Sequence, residues 1–205
     1  MIAIIDYGMG NLGSVEKAFS YLGYETRITA SAEDVMAASG VVLPGVGAIG
    51  PAMTAIRGMK MNQIIADYLA TGRPFLGICL GMQLLFDSSE EGDEEVSGLG
   101  ILPGKVRRFP ASSGLKIPQI GWNRLTDVKH AAFTEGQYVY FVHSFYCDAE
   151  NEAHTAATAE YGICYTAAVS SGNLLAAQFH PEKSGAAGLS ILRKWADSNG
   201  SARNL

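Results

Sequence analysis

Short apolar runs and helical spacings alternate along the first eighty residues. MIAIIDY (1–7) is an Ile-rich run closed by a Gly-rich turn, which predicts a buried strand. LGSVEKAFSYLG (12–23) then places Val15, Phe19 and Leu22 three and four apart, one face of a helix, with Gly23 as its C-cap. YETRIT alternates, AEDVMAAS reads as helix, and VVLPG (41–45) is another short apolar strand ending in a breaker. MNQIIADYLATG (61–72) repeats the helical spacing, and Pro74 precedes the apolar FLGIC. Strands and helices in strict alternation predict an α/β fold, with a parallel sheet covered by helices on both faces.

The second half is patterned differently. GILPGKVRRF, YVYFVHSFY, GICYTAAVS and LLAAQFH are closely spaced strand candidates with turns between them, and SGAAGLSILRKWADS (184–198) is a closing helix. No Pro/Ser-rich linker separates the halves. The chain therefore reads as one domain, 1–205, whose open, mostly parallel sheet continues into a mixed or antiparallel extension. The acidic stretch SSEEGDEEVSG (88–98) reads as a solvated loop.

Composition narrows the partners. A net charge of −5 without any run of Lys or Arg removes the electrostatic reason for nucleic acid or an anionic membrane as partner. No apolar run approaches the roughly 20 residues that span a bilayer, and the expected location is the cytoplasm. Three cysteines, Cys79, Cys147 and Cys164, and four scattered histidines suggest neither a disulfide framework nor a metal site, and no cofactor is called for.

Three constellations carry candidate chemistry. In GICLGMQ (77–83), Gly77 and Gly81 flank Cys79 at the carboxyl end of a predicted parallel strand. G-x-C-x-G is the cysteine counterpart of a nucleophile elbow. There the thiol meets a helix N-terminus, which favours thiolate, and the Leu80 N–H faces a developing oxyanion. The alternative is a buried structural cysteine. In AAQFHPEKSG (176–185), His180 and Glu182 supply the imidazole base and the orienting carboxylate that a cysteine nucleophile needs, or else a strand-end histidine and a helix-start glutamate. LPGVGAIG (43–50) ends a strand in a Gly-rich turn before a helix, either aiming N–H groups at an oxyanion or shaped only by packing. GMGNLG (8–13) matches a dinucleotide fingerprint, but Asp6 precedes it and no acid follows the next strand to bind a ribose. Glu33 and Asp34 are expected to start a helix instead.

Taken together, DYGMGNLGSV (6–15), LPGVGAIGPAM (43–53), GICLGMQ, IPQIGWN (117–123), YFVHSFY (140–146) and QFHPEKSG (178–185) span nearly the whole chain. They resemble the class I, triad-type glutamine amidotransferases, and among these the glutaminase subunits of imidazole glycerol phosphate synthase. That resemblance implies a flavodoxin-like fold and hydrolysis of glutamine by Cys79 as nucleophile, His180 as base and then acid, and Glu182 as orienter. It further implies oxyanion donors near Val46 or Gly47 beside Leu80, substrate contacts at Gln83 and the backbone of Ser144 and Phe145, and a face for a cyclase subunit at Gly8 to Asn11, Trp122 and Lys183. The Gly45/Gly47 pair suggests a turn with more than one backbone arrangement, re-aimed when the partner docks. Another amidotransferase subunit, or a non-catalytic interaction module on the same fold, remains open.

Overall fold

β1 (Ile2–Ile5) is buried along its whole length, and its alternate residues serve two different cores. Ile2 and Ile4 face the layer formed by α1 (Leu12–Tyr21) and α6 (Gly185–Ser198), where Phe19 and Trp195 lie 5.7 Å apart. Ala3 and Ile5 face the other layer, built from α2 (Ala32–Ala37), α3 (Ile49–Gly58) and α4 (Met61–Ala70). A strand buried on both faces must be apolar throughout, which is why these strands read as continuous rather than alternating runs. The computed structural model describes residues 1–92, 94–110 and 114–198.

β2 (Thr26–Thr29), β1, β3 (Gly40–Gly45), β4 (Phe75–Cys79) and β13 (Leu174–Ala177) form a parallel block in that order. Beyond β13 the sheet runs on mainly antiparallel. The added strands are β12 (Cys164–Ser171), β10 (Phe145–Ala149), β7 (Leu102–Arg108), β5 (Phe86–Ser89) and β6 (Val96–Ser97), with β11 (Thr155–Glu160) pairing β12. The α/β sheet with helices on both faces and an antiparallel extension is the architecture expected. No helix among the described residues is long and apolar enough to cross a membrane.

Local signals explain most boundaries. α1 ends with Tyr24 N–H donating to the Phe19 carbonyl and Gly23 N–H to that of Ser20, a Schellman closure. Gly23, at φ 86, follows the capping residue Leu22 instead of being it, and the Phe19 and Tyr24 rings pack edge-on across the turn. α2 starts as its acids predict: the Ser31 hydroxyl accepts from Asp34 N–H, and Glu33 and Asp34 fill the first turn.

Four expectations change. Two helices, α3 and α4, separate β3 from β4 where spacing singled out one, because Pro51 and two glycines disguise the start of α3. YVYFVHSFY is not one strand. It breaks at Ser144 into β9 (Tyr138–His143) and β10, and β9 leaves the main sheet to pair with β8 (Gln119–Arg124) in a separate ribbon. The acidic stretch is more than a solvated loop: Ser88 and Ser89 end β5, β6 lies within it, and the Glu91 carboxylate accepts from Ile49 N–H at 2.8 Å, capping α3 from a distance. Asp93 of that stretch lies outside the described residues. Finally, close packing already gives Gly45 a reason to be glycine. A side-chain carbon there would collide with the Tyr7 hydroxyl and sit 2.9 Å from Leu80 Cβ, so glycine serves close packing, and only Gly47 (φ 96) has a left-handed backbone.

Candidate active site

Cys79 closes β4, and its neighbour Leu80 opens the single-turn helix α5 (Leu80–Gln83). The backbone turns so sharply that Cys79 adopts φ 54, ψ −109, a region that costs an L-residue about 1–3 kcal/mol. Both flanking glycines are required by contact. At Gly77 a side chain would meet Ala176 Cβ at 2.9 Å and the Gly81 carbonyl at 3.0 Å, and at Gly81 it would overlap the Leu43 carbonyl. The elbow therefore sits directly on β3 and β13. α5 is too short to carry much of a macrodipole, so the nearest charge partner for the sulfur is a side chain.

That side chain comes from the other end of the chain. His180 lies three residues past Ala177, the last paired position of β13, and its backbone is clamped to the ribbon. His180 N–H donates to the Tyr140 carbonyl at 2.9 Å, while Ser184 Oγ donates to the His180 carbonyl at 2.6 Å and accepts from Tyr140 N–H at 2.9 Å. Pro181–Lys183 is a single 3-10 turn that returns Glu182 under the imidazole. Nδ1 of His180 donates to Glu182 Oε1 at 2.8 Å, with both side chains almost wholly buried. Nε2 is buried and makes no hydrogen bond, and it is the nitrogen left for the cleft that His180 lines with Cys79.

Burial opposes a charge on His180, but interactions with Cys79 and Glu182 outweigh it and carry the imidazole from 6.5 up to about 9. A raised folded-state value stabilises the fold fully below about pH 6.5, and that contribution is lost as pH rises through about 9. The urea midpoint should therefore fall between pH 6.5 and 9.5 by more in the parent than in Glu182→Gln. Equal falls in the two proteins would show that Glu182 does not hold the charge.

His143 behaves oppositely. Burial drives it down to about 4, although Nδ1 bonds the Phe145 carbonyl at 2.7 Å, and the charge of His180 adds to the depression. It is a neutral imidazole at physiological pH.

The cleft is about 440 Å³. Of the residues singled out from sequence, Cys79, His180, Val46, Gly47, Leu80, Gln83, Ser144 and Phe145 all line it. Lys183, expected on the partner face, also reaches its rim. Gly8 is exposed, Asn11 half-buried at the start of α1, and Trp122 56% exposed on the ribbon. Gly8 N–H is held by Asp6 Oδ1 at 2.9 Å, so the acid that argued against a dinucleotide site organises that glycine-rich loop internally. Gln83 spends its amide nitrogen on the Phe145 carbonyl at 3.2 Å and on Gln178 at 2.9 Å, which leaves Oε1 as its acceptor.

Sequence reasoning assigned nothing to Glu91, Pro118 and Val142, which line the cleft, and left His143 structural by default. Nor did it single out Gln178, fully buried beside the sulfur. Its position two residues before His180 in QFHPE was the one available signal.

The family model for glutamine amidotransferase class-I matches residues 3–197. Imidazole glycerol phosphate synthase subunit HisH of Desulfitobacterium hafniense (strain DSM 10664 / DCB-2) is 48% identical over 206 residues, covering 97% of this chain and 96% of that protein. The subunit of the same name from Trichodesmium erythraeum (strain IMS101) is 50% identical over 197 residues, covering 93% and 91%. Among solved structures, a glutamine amidotransferase superposes with TM-score 0.75 at 18% identity over 98% of this chain and 100% of its own. PurLQS from Thermotoga maritima gives 0.73 at 21% over 96% and 97%. At such identities the structures share the fold.

Proposed function

The chain belongs to the class I glutamine amidotransferases and, within them, to the glutaminase subunits of imidazole glycerol phosphate synthase, and on that premise we propose the working parts of its active site. The enzyme hydrolyses glutamine. Cys79, His180 and Glu182 carry the reaction, and a cyclase subunit in a heterodimer receives the ammonia to make imidazole glycerol phosphate and an aminoimidazole carboxamide ribotide.

The steps follow from the groups present. The Cys79 sulfur forms a bond to the carboxamide carbon of glutamine, and the carbonyl electrons move onto oxygen, facing the N–H groups of Leu80 and of Val46 or Gly47. The His180 imidazolium, held by Glu182, gives its proton to the nitrogen as the C–N bond breaks, releasing ammonia and leaving a γ-glutamyl thioester. Neutral His180 then takes a proton from water as that water attacks the thioester, and expulsion of the thiolate frees glutamate. Gln83 Oε1 and the backbone of Ser144 and Phe145 hold the substrate.

One observation carries this reading: an imidazole fixed at 2.8 Å by a buried carboxylate, with its other nitrogen unpartnered in the cleft of a cysteine on a strained elbow. The test is to assay glutamate release by the chain alone, with the cyclase, and with the cyclase plus its phosphorylated ribulosyl substrate. Glutamine-dependent product only when both proteins are present supports the assignment. Full glutaminase turnover by the chain alone rejects partner control through the Gly47 turn.

The docking face is supported by an exposed apolar patch. Ile120, Trp122 and Tyr138 of the β8–β9 ribbon are 59%, 56% and 58% exposed, and Gly8, Asn11 and Lys183 complete the proposed face. Large aromatic anchors dominate interface energetics, so Trp122→Ala should weaken cyclase binding about tenfold or more by titration calorimetry. Unchanged affinity would move the interface elsewhere.

A further inference from the structure

Gln178 follows β13 directly, and strand register explains where it lands. Ala176 pairs with Gly77 and Ala177 with Ile78, so one further step sets Gln178 beside Cys79. There its amide is the last link in a line of hydrogen bonds whose direction is determined from the far end. The Phe145 carbonyl can only accept, and it takes His143 Nδ1–H at 2.7 Å and Gln83 Nε2–H at 3.2 Å. That orients the Gln83 amide, and the same nitrogen donates to Gln178 Oε1 at 2.9 Å. With its oxygen committed, Gln178 has only Nε2 to present to the Cys79 sulfur, at 3.7 Å. Turning the Gln83 amide over would set acceptor against acceptor, and turning the Gln178 amide over would set donor against donor, in a site where Gln83, Gln178 and His143 are all buried.

We propose that Gln178 is a positioning residue, holding the Cys79 sulfur with an N–H donor whose polarity is imposed by the Phe145 carbonyl through Gln83. This rests on Cys79 being the nucleophile. A donor aimed at sulfur favours the anionic over the protonated form and restrains the side chain at the angle of attack. Gln178 keeps both its protons throughout. It stabilises negative charge on sulfur before the thioester forms and again when hydrolysis expels the thiolate.

The arrangement makes an ordering prediction that packing alone would reverse. Glutamate is nearest to glutamine in shape but brings an anionic oxygen to the sulfur, whereas methionine has similar length and no donor. The readout is the pH dependence of alkylation by iodoacetamide, in full-length chain carrying Cys164→Ser. That removes the exposed cysteine, while Cys147 is buried.

Gln178→Met should raise the half-maximal pH by about one unit and slow alkylation at pH 7 roughly tenfold, with the plateau at high pH retained. Gln178→Glu should raise it further, and Gln83→Met, which frees the Gln178 amide to turn, should give an intermediate rise. A smaller shift in Glu than in Met, or no shift in either folded variant, overturns the proposal. If Gln178→Met fails to fold by circular dichroism, Gln83→Met decides: a rise supports the donor and an unmoved profile refutes it. If the parent's Cys79 does not react at all, the nucleophile assignment itself has failed, a result distinct from a reactive Cys79 whose profile ignores Gln178.

Discussion

Replacing Cys79 with alanine should abolish glutamine hydrolysis, lowering kcat by about 10⁴-fold or more, because no other group in the cleft can form the thioester. The remaining donors would still bind glutamine, so KM should change far less than kcat. The same variant, in complex with the cyclase, should make product from added ammonium at the parent's rate. That contrast separates loss of the nucleophile from loss of the assembly. The fold should survive, since Cys79 is at φ 54 and alanine tolerates that backbone no worse than cysteine does. Appreciable glutaminase activity in Cys79→Ala would remove the triad from the mechanism.

Gly81→Ala should be the most damaging small substitution in the elbow. Its Cβ would overlap the Leu43 carbonyl oxygen and lie 2.9 Å from the carbonyl carbon, and both atoms belong to a buried strand that cannot retreat. Overpacking against backbone costs about 3 kcal/mol or more, roughly a 6–12 °C fall in Tm for a chain of this size. Any relaxation must push α5 away from β3, carrying Leu80 N–H and Cys79 with it. Activity should then fall even well below the melting range. Gly13→Ala is the control: α1 has open space at that position, so alanine should be neutral or stabilise by up to about 1 kcal/mol. Equal melting temperatures for the two variants would mean that the elbow is looser than its contacts imply.

Gly77 and Gly81 show how far pattern reaches. The spacing around Cys79 marks an elbow because such a turn excludes side chains on both flanks, and contact with Ala176 and Leu43 is what excludes them. Gly45 looked like a source of mobility, yet its reason is the Tyr7 hydroxyl and Leu80 packed against it, information that belongs to β1 and α5. His143 looked inert because nothing in YFVHSFY distinguishes a buried imidazole bonded to Phe145 from any strand histidine. The break at Ser144 was hidden for a related reason. A continuous apolar run does not say which of its residues pair with one sheet and which with another.

Local rules sufficed for strands β1 to β4 and for helices α1, α2 and α4: continuous apolar strands, helical spacing, the Ser31 cap and the Gly23 closure are short-range choices that each residue makes with its near neighbours. They also sufficed to nominate Cys79, His180 and Glu182 by residue type. What tertiary structure alone decided is how those groups meet. Paired residues of β4 and β13 are 99 apart in sequence, Phe75 with Leu174 for one, yet the strands run side by side. Their shared register brings sulfur and imidazole into one cleft with the Gln178 amide buried beside the sulfur, and the Phe145 carbonyl sets the direction of the hydrogen bonds that lead to it. Register and amide direction depend on partners far away along the chain, and no local spacing encodes them.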